Sequence, residues 1–368
     1  MAAAVLGFIA LRGGGSEPLS PQEALRAERA ESPVRLTVSV SGDLLIHSPV
    51  YARALELGGG STYDFAPMLD PIRPYVTGAD LAFCHLETAM APGVPQSYPL
   101  FKTPPELAKA IAATGWDACS TASNHTLDLG EEGIASTIRA LDGAGVRHTG
   151  SFTSERERRR PLILEASGIK VAWIAYTDAT NGIPPPTPHS VNVAEDEGDL
   201  GPVLADARRA RKAGAEVVLV NMHWGPEFVG EPDSDQQRQA DALTRSKLVT
   251  AVVGQGPHVV QPIERINGKF VVFSEGNLIS NEDANCCPAA TQDGLIALLD
   301  LVVDGSGARV ERVRYVPIWV EHPTYEVLPV GDALRDGAGD PAGLRDSYER
   351  TTSVAGSGRG VRPQPPRL

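Results

Sequence analysis

Acidic, amide and imidazole side chains follow several apolar, strand-like runs of the chain, at the point where each run ends. They occur at five exits, which carry in order Asp43, Glu87, Asn124 with His125, His223, and His258. Carboxylate, amide and imidazole groups are the ligands that suit Mn, Fe, Zn or Mg. A single histidine at a strand end is usually structural. Five such exits in one chain predict a metal site whose ligands converge from separate strands.

The elements that must position these residues alternate between strand-like and helical patterns. The apolar runs that predict strands are 34–40, 80–84, 117–122, 170–176, 216–222 and 250–253. Helical periodicity is found between them at 104–114, 131–144, 203–213 and 235–248. Such alternation is typical of a largely parallel sheet, in which ligands gather beyond the carboxyl ends of the strands. It therefore predicts an edge at which the polar exits meet.

The pattern changes after residue 261. The runs 263–266 and 269–273 flank Asn267-Gly268, a strong signal for a tight hairpin, and the runs 295–303 and 309–318 continue as antiparallel strands. The sequence predicts a layered α/β protein whose second half adds antiparallel sheet.

Three regions follow from these patterns. Residues 1–33 contain a short apolar run at 2–11. It is too short for a bilayer, which needs roughly 20 residues, and is typical of the distal part of a signal peptide or signal anchor, although an ordinary chain terminus gives the same pattern. Residues 34–330 form the ligand-bearing domain. Residues 331–368, ending in a Gly/Pro/Arg-rich stretch, are expected to be a partly disordered extension.

The charge balance excludes nucleic-acid binding as the main activity. The chain has 33 Lys and Arg against 46 Asp and Glu, a net charge of −13, and no long basic stripe. Affinity for a phosphate backbone is built from clustered cations. Nucleic acid is therefore not an expected partner.

The four cysteines exclude a zinc ribbon, because none shows C-x-x-C spacing. Cys84 and Cys119 lie in apolar runs and are expected to pack as small hydrophobic side chains. Cys286 and Cys287 lie in a loop-like stretch, where a disulfide is expected only in an oxidising compartment.

The motifs at the exits resemble those of a known family, in its order and spacing across residues 34–279. They are Gly42-Asp43, Leu86-Glu87-Thr88, Asn124-His125-Thr126-Leu127-Asp128-Leu129-Gly130, His223-Trp224-Gly225-Pro226-Glu227, 254–264 and Ser274-Glu275-Gly276-Asn277. On the specific Asn-His and His-Trp-Gly blocks, the chain is identified as a member of the CapA or PgsA-type poly-γ-glutamate capsule proteins of bacteria. Their domain is similar to the calcineurin-like metallophosphoesterase fold. The resemblance implies a layered, metallophosphatase-like sandwich of mixed β-sheets flanked by helices.

The resemblance also implies roles for the exit residues, with two divalent ions of Mn, Fe, Zn or Mg. Asp43 would bind the first ion, Glu87 would bridge both, and Asn124 would bind the second. His223 and His258 would each coordinate metal, and His125 would protonate a leaving group or steady an oxyanion. Two such ions lower the pKa of a water and neutralise charge on a tetrahedral substrate.

Four positions depart from the usual family pattern. Gly256 stands where a histidine is common, which removes one imidazole. His47, four residues past Asp43, and His85, where asparagine is usual, could each substitute as a metal ligand, and we assign His47. Glu275 replaces an apolar residue and is either an acid–base group or a rim charge; we place it with the catalytic residues.

Further candidates surround these exits. Asp128 could orient His125 by a hydrogen bond or cap the following helix. Trp224, if exposed, could stack on substrate, the alternative being a packing role. With Glu227 and Asn277 it forms the predicted substrate contacts. The proline-rich segment 182–189 is either a lid or a spacer.

The leading functional hypothesis is a metal-dependent hydrolase that acts outside the cytoplasm, secreted or membrane-associated, on a phosphoester or on an amide bond of γ-glutamyl or cell-envelope material. Its substrate would be an anionic polymer or a small molecule. One alternative is a non-catalytic, membrane-tethered component of poly-γ-glutamate synthesis or export, with capsule-assembly partners. Another is a biosynthetic enzyme that recruited the fold for a small molecule, because fold and metal site do not specify substrate.

Overall fold

The computed structural model describes residues 32–194 and 199–364. The predicted apolar run at 2–11 lies outside the described residues, as do residues 365–368 of the predicted extension. None of the helices in the described ranges combines the length and apolar character that crossing a membrane requires.

Fifteen strands lie in the described part of the chain. They are β1 Val34–Leu44, β2 Leu81–Leu86, β3 Ala118–Ser120, β4 Arg147–Thr149, β5 Leu162–Ala166, β6 Ile169–Thr177, β7 Val217–His223, β8 Ala251–Gln255, β9 Ile263–Ile266, β10 Lys269–Val272, β11 Asn277–Ile279, β12 Asp293–Asp304, β13 Gly307–Glu321, β14 Glu326–Pro329 and β15 Val361–Pro363.

The α-helices within the same ranges are α1 Ser48–Leu57, α2 Ala66–Leu69, α3 Arg73–Thr77, α4 Leu107–Thr114, α5 Gly130–Ala144, α6 Glu155–Arg158, α7 Gly201–Lys212, α8 Ser234–Arg245, α9 Val330–Asp336 and α10 Pro341–Ala355. Short 3-10 turns occur at Asp70–Ile72 and Ala289–Gln292.

The strands form two mixed sheets. The nine-stranded sheet has the order β14-β13-β12-β1-β2-β3-β4, with β11 paired to β1 and β15 paired to β13. The six-stranded sheet has the order β5-β6-β7-β8-β10-β9. In each, a parallel centre carries antiparallel strands at its edge. The predicted fold class is confirmed.

Period-two alternation of side chains stacks the sheets face to face. On β6, Val171 and Trp173 point into the core between the sheets, whereas Ala172 and Ile174 point to the opposite face. Phe83 of β2 stacks on Trp173 with ring centroids 4.6 Å apart. Burying a large apolar side chain contributes about 1.5–3 kcal/mol, so the inter-sheet core fixes the two sheets against each other.

Helices cover the two outer faces. Helices α1 to α4 pack against the nine-stranded sheet. On the other side α7 packs through Val203, Ala207 and Ala210, at the i, i+4, i+7 spacing of one helix face, together with α8. The result is four layers in the order helix, sheet, sheet, helix.

The carboxyl ends of the central strands of both sheets lie at one edge. Asp43 pairs in register with His85, which pairs in turn with Ser120. In the second sheet, His223 pairs with Gln255. The predicted convergence of the polar exits follows from these two registers.

The structure corrects the expectation for two of the cysteines. Cys84 and Cys119 are buried, but rather than packing as separate side chains they face each other on β2 and β3 and form a disulfide, with Cα atoms 4.4 Å apart. Across a separation of 35 residues, only the strand register brings them together.

The structure describes the part of the chain after residue 330 as far as residue 364, and this part contains the helices α9 and α10 and the strand β15. Asp340 immediately precedes helix α10, and its side chain accepts hydrogen bonds from the N–H groups of Ala342 and Gly343. Arg350 forms an ion pair with Asp293 of β12, and β15 pairs with β13. Buried Leu344 and Val361 supply enough apolar contact, although this part of the sequence is poor in apolar residues.

Candidate metal centre

Two sets of buried side chains meet at the shared edge of the sheets. The histidine-rich set consists of Asp43, His85 and His223, whose ligand atoms all lie within 4.8 Å of one another. His85 Nε2 lies 3.0 Å from His223 Nδ1 and 3.6 Å from Asp43 Oδ1. Its other nitrogen, Nδ1, is hydrogen-bonded to the Ser120 hydroxyl, which fixes the ring direction.

The carboxylate-rich set consists of Asp43, Glu87 and His258, again within 4.8 Å. His258 Nδ1 lies 3.0 Å from Asp43 Oδ2, and its Nε2 lies 3.6 Å from Glu87 Oε1. Asp43 therefore belongs to both sets. The carboxylate shared between two ligand sets is Asp43, whereas the family resemblance placed Glu87 in that position.

The local backbone explains the central place of Asp43. The pairing of β1 with β2 shifts register between Val40 and Asp43. At Gly42, a Cβ atom would lie 1.9 Å from the carbonyl oxygen of Gly276. Only glycine allows this close approach, which turns the Asp43 side chain toward the gap between the sheets.

Burial and charge act differently on the two sets. Burial lowers the pKa of His85 to about 4 and holds the pKa of His223 well below its ordinary value. Burial opposes the charged form of His258 as well, but Glu87 and Asp43 outweigh it and raise its pKa well above 6.5. Burial also raises the pKa of Glu87, against the effect of His258.

The oxygen atoms of this centre fit a cation. Both Glu87 oxygens, Asp43 Oδ1 and Asn124 Oδ1 are buried without a hydrogen-bond partner among the described residues. A buried acceptor without a partner costs about 1–3 kcal/mol, more if charged. Divalent cations would satisfy these oxygens, and the mixture of carboxylate, amide and imidazole suits Mn, Fe, Zn or Mg.

His125 lies beside the centre with its orientation fixed. Its Nδ1 is 2.8 Å from Asp128 Oδ2, and the same oxygen accepts a hydrogen bond from the N–H of Phe101 at 2.7 Å. The Phe101 ring meets the imidazole edge-on with centroids 4.7 Å apart. The Asn181 side chain, next to the proline-rich segment, lies 3.5 Å from Nδ1. The hydrogen bond predicted for Asp128 is present.

His47 belongs to neither set. It is the residue that precedes α1, and its Nδ1 accepts a hydrogen bond from the N–H of Asn281 at 3.2 Å. The structure thus brings His85 into the centre in place of His47, because the strand register sets His85 directly opposite Asp43.

Two of the predicted substrate contacts are buried. Trp224 is fully buried, and its indole N–H donates to the carbonyl of Phe273 at 2.8 Å, so its role is packing. Asn277 is also buried. It donates to Glu282 and places its Oδ1 3.1 Å from His258 Nδ1, which orients that histidine. Glu227 is exposed on the loop after β7 and acts on the pKa of Glu87.

Glu275 lies in the interior, so it is not a rim charge. One of its oxygens accepts a hydrogen bond from Gln255 at 2.6 Å, and burial raises its pKa well above the ordinary value. Gln255, Ser120 and Glu282 are neighbours of the ligands that were not predicted. Gln255 and Ser120 are each paired with a histidine on the neighbouring strand, and these pairs can be found only when the register of the strands is known.

Comparisons with known proteins show the family of this chain. The family model described as bacterial capsule synthesis protein PGA_cap matches residues 37–282. The chain is 24% identical to the capsule biosynthesis protein CapA of Bacillus anthracis, over 76% of this chain and 70% of that protein. It is also 24% identical to a probable polyglutamine synthesis accessory protein of Mycobacterium tuberculosis, over 74% of this chain and 73% of that protein.

Among solved structures, the calcineurin-like phosphoesterase YfkN of Bacillus subtilis is similar with a TM-score of 0.51 and 14% identity. The match covers 86% of this chain and 99% of that one. At this identity the likeness shows the fold alone.

Proposed function

The chain belongs to the PGA_cap family of bacterial capsule synthesis proteins, and from this premise we propose that it is a metal-dependent hydrolase. Its substrate would be a phosphoester or an amide bond of γ-glutamyl or cell-envelope material. Because relatives carry capsule biosynthesis in their names, we place this activity in the cell envelope, outside the cytoplasm.

A single observation carries the proposal: two buried ligand sets share Asp43, and buried oxygens of Glu87 and Asn124 have no hydrogen-bond partner among the described residues. A surface that only bound another protein would gain nothing from burying these groups. Perturbed titratable groups gathered in one place are typical of functional sites.

The residues would divide the work as follows. Asp43, His85 and His223 would hold one divalent ion, and Asp43, Glu87 and His258 a second, with Asn124 beside them. Two bound ions would lower the pKa of a water and neutralise the charge that develops on a tetrahedral group. His125 would hold a proton at Nε2 for the leaving group, because its Nδ1 is bound to Asp128 and the carboxylate stabilises the imidazolium.

In this proposal, His85 would compensate for the histidine missing at Gly256. A Cβ at this position would lie 3.1 Å from the backbone of Trp224 and 3.3 Å from His223 Nε2, so a larger residue does not fit without movement. Instead the Gly256 N–H points to Asp43 Oδ2 at 3.4 Å. His85 supplies a further imidazole on the same side as His223.

The proposal is tested with protein purified without chelator and then supplied with Mn²⁺ or Zn²⁺. Hydrolysis of bis(p-nitrophenyl) phosphate and of γ-glutamyl p-nitroanilide is followed by absorbance. We expect turnover of at least one substrate that EDTA abolishes and added metal restores. Fully metal-loaded protein that cleaves neither the phosphoester nor the γ-glutamyl amide would contradict the proposed hydrolase.

A second candidate is a non-catalytic, membrane-tethered component of poly-γ-glutamate synthesis or export that contacts capsule-assembly partners. The name of the mycobacterial relative, an accessory protein, favours it. Asp43→Ala distinguishes the two candidates in a capsule-forming host that lacks its own copy. Capsule formation restored by this variant, at normal protein level, would support the accessory role.

A further inference from the structure

The large hydrophobic side chains that the described residues expose to solvent are confined to two loops. Val94, Tyr98 and Leu100 lie on the β2–α4 loop, between residues 87 and 106, and Phe228 and Val229 lie on the β7–α8 loop, between residues 224 and 233. Their exposed fractions run from 36% for Phe228 to 80% for Val94. Singly scattered apolar side chains need no explanation, but these five lie on two loops that each contact a histidine of the centre.

The β2–α4 loop is tied to the metal centre. Leu100 precedes Phe101, which is buried, contacts the His125 ring edge-on and donates its N–H to Asp128. The loop is also braced across its base, where Gln96 and Lys102 exchange two backbone hydrogen bonds of 3.1 and 3.0 Å. Tyr98 and Leu100 are therefore presented on a fixed turn beside His125.

The β7–α8 loop is tied to the centre from the other side. The Phe228 N–H donates to the carbonyl of Pro257, and its ring lies 6.2 Å from the ring of His258. Buried Gln261 donates to the carbonyl of Val229 at 2.9 Å. Phe228 adopts a positive φ of 66°, which is rare for a bulky residue and is retained where surrounding contacts impose it.

The charges around the centre do not suit a free polyanion. The β7–α8 loop carries the carboxylates of Glu227, Glu231 and Asp233, whereas the one Lys or Arg in the two loops is Lys102. Arg265 is on the β9–β10 hairpin, where its side chain donates a hydrogen bond to the carbonyl of Gly268. A polyanion that followed these loops would meet mainly carboxylates and apolar side chains.

We propose that the two loops form a subsite for the apolar part of an amphiphilic phosphoester. The anionic group enters the metal centre, and the hydrocarbon chain lies on Tyr98, Leu100 and Phe228. The inference rests on the proposed function, because it takes the metal centre as the site of the anionic group.

Binding is measured by calorimetry with Mn²⁺-loaded protein and two probes, ethyl phosphate and octyl phosphate. Full burial of a methylene group contributes about 0.8 kcal/mol, and contact on one side only is worth about half. Octyl phosphate has six more methylene groups than ethyl phosphate, so we expect it to bind about 60-fold more tightly.

Variants assign the preference to the loops. In the double variant Tyr98→Ser with Phe228→Asn, whose asparagine tolerates the positive φ, the ratio of the two Kd values should fall to about threefold or less, with the Kd of ethyl phosphate unchanged. The control Leu334→Ser alters a half-buried residue on α9 and should keep the full ratio.

Equal Kd values for the two probes in the wild-type protein would overturn the inference. So would a dimer in sedimentation velocity that the double variant abolishes, with no chain-length preference, since the loops would then bind a second copy. A hydrolysis assay with methyl and octyl esters of p-nitrophenyl phosphate separates this inference from the proposed function. Chain-length preference in binding without turnover would refute the hydrolase and leave the subsite standing.

Discussion

The histidine-rich set and the carboxylate-rich set lie side by side and share Asp43, yet their buried histidines differ in charge. In the first, burial keeps His85 and His223 uncharged, and they pair with each other. In the second, His258 carries charge against Glu87 and Asp43. The first set is therefore ready to accept a cation as it stands, whereas in the second a cation must replace the proton on His258.

Asp43→Asn breaks both sets at once and should have the largest effect. The shared anionic oxygens are lost, so neither ion is held and hydrolysis should fall by about 10³-fold or more. Turnover of bis(p-nitrophenyl) phosphate with Mn²⁺ measures it. Glu264→Gln, at an exposed carboxylate of β9, is the matched control and should retain full turnover. A drop of less than tenfold in Asp43→Asn would mean that Asp43 is not the shared ligand.

Separate alanine substitutions sharpen the division between the sets. His223→Ala should empty the histidine-rich set, and His258→Ala the carboxylate-rich set, each leaving about one ion and lowering turnover by about 10²-fold. Metal analysis after gel filtration counts the ions. If either substitution removed all bound metal, the two sets would act as a single metal site and would not bind their ions separately.

Asp128→Asn tests a residue that belongs to neither set. The asparagine can still accept the N–H of Phe101 but no longer stabilises an imidazolium at His125, so kcat should fall by about 10–100-fold. Metal content should stay at the wild-type value. Loss of metal in this variant would place Asp128 among the groups that support the ligands.

His47→Gln should have the smallest effect and leave both sets intact. Burial, with the nearby charge of His258, lowers the pKa of His47 to about 4. Above pH 6.5 the imidazole is neutral in both folded and unfolded chains. As the pH falls from 6.5 toward 4, the unfolded chain binds a proton that the folded chain does not, and stability is lost.

The glutamine variant has no imidazole at position 47, so its stability does not include this dependence on pH. Between pH 7 and pH 4.5, EDTA-treated His47→Gln should lose about 1–3 kcal/mol less stability than wild type in urea unfolding. Equal losses in the two proteins would show that the folded chain does not keep the imidazole of His47 neutral.

Much of the fold followed from the sequence because each central strand is an unbroken apolar run with a polar exit. Local sequence patterns likewise predicted the helices α5 and α8 and the hairpin at Asn267-Gly268. What could not be predicted depends on partners distant in sequence. Strand β15 is three residues long and exists because β13 lies beside it. The disulfide of Cys84 with Cys119 likewise depends on strand register.

The same limit applied to the site. The residues that carry ligand atoms could be predicted from the strand exits, with His85 and His47 as alternative metal ligands. Which of the two faces the centre depends on the register of β2 against β1, and which carboxylate is shared depends on the shift at Gly42. Trp224 was ambiguous because its exposure is decided by packing against Phe273.

The most direct test of two metal-binding sets that share Asp43 is the metal content of the protein. Protein purified without chelator, saturated with Mn²⁺ and freed of excess ion should contain two equivalents per chain by mass spectrometry of the elements, one for each set around Asp43. Asp43→Asn, folded by circular dichroism, should contain almost none. Well under one equivalent in the wild-type protein, or equal content in the variant, would contradict the account.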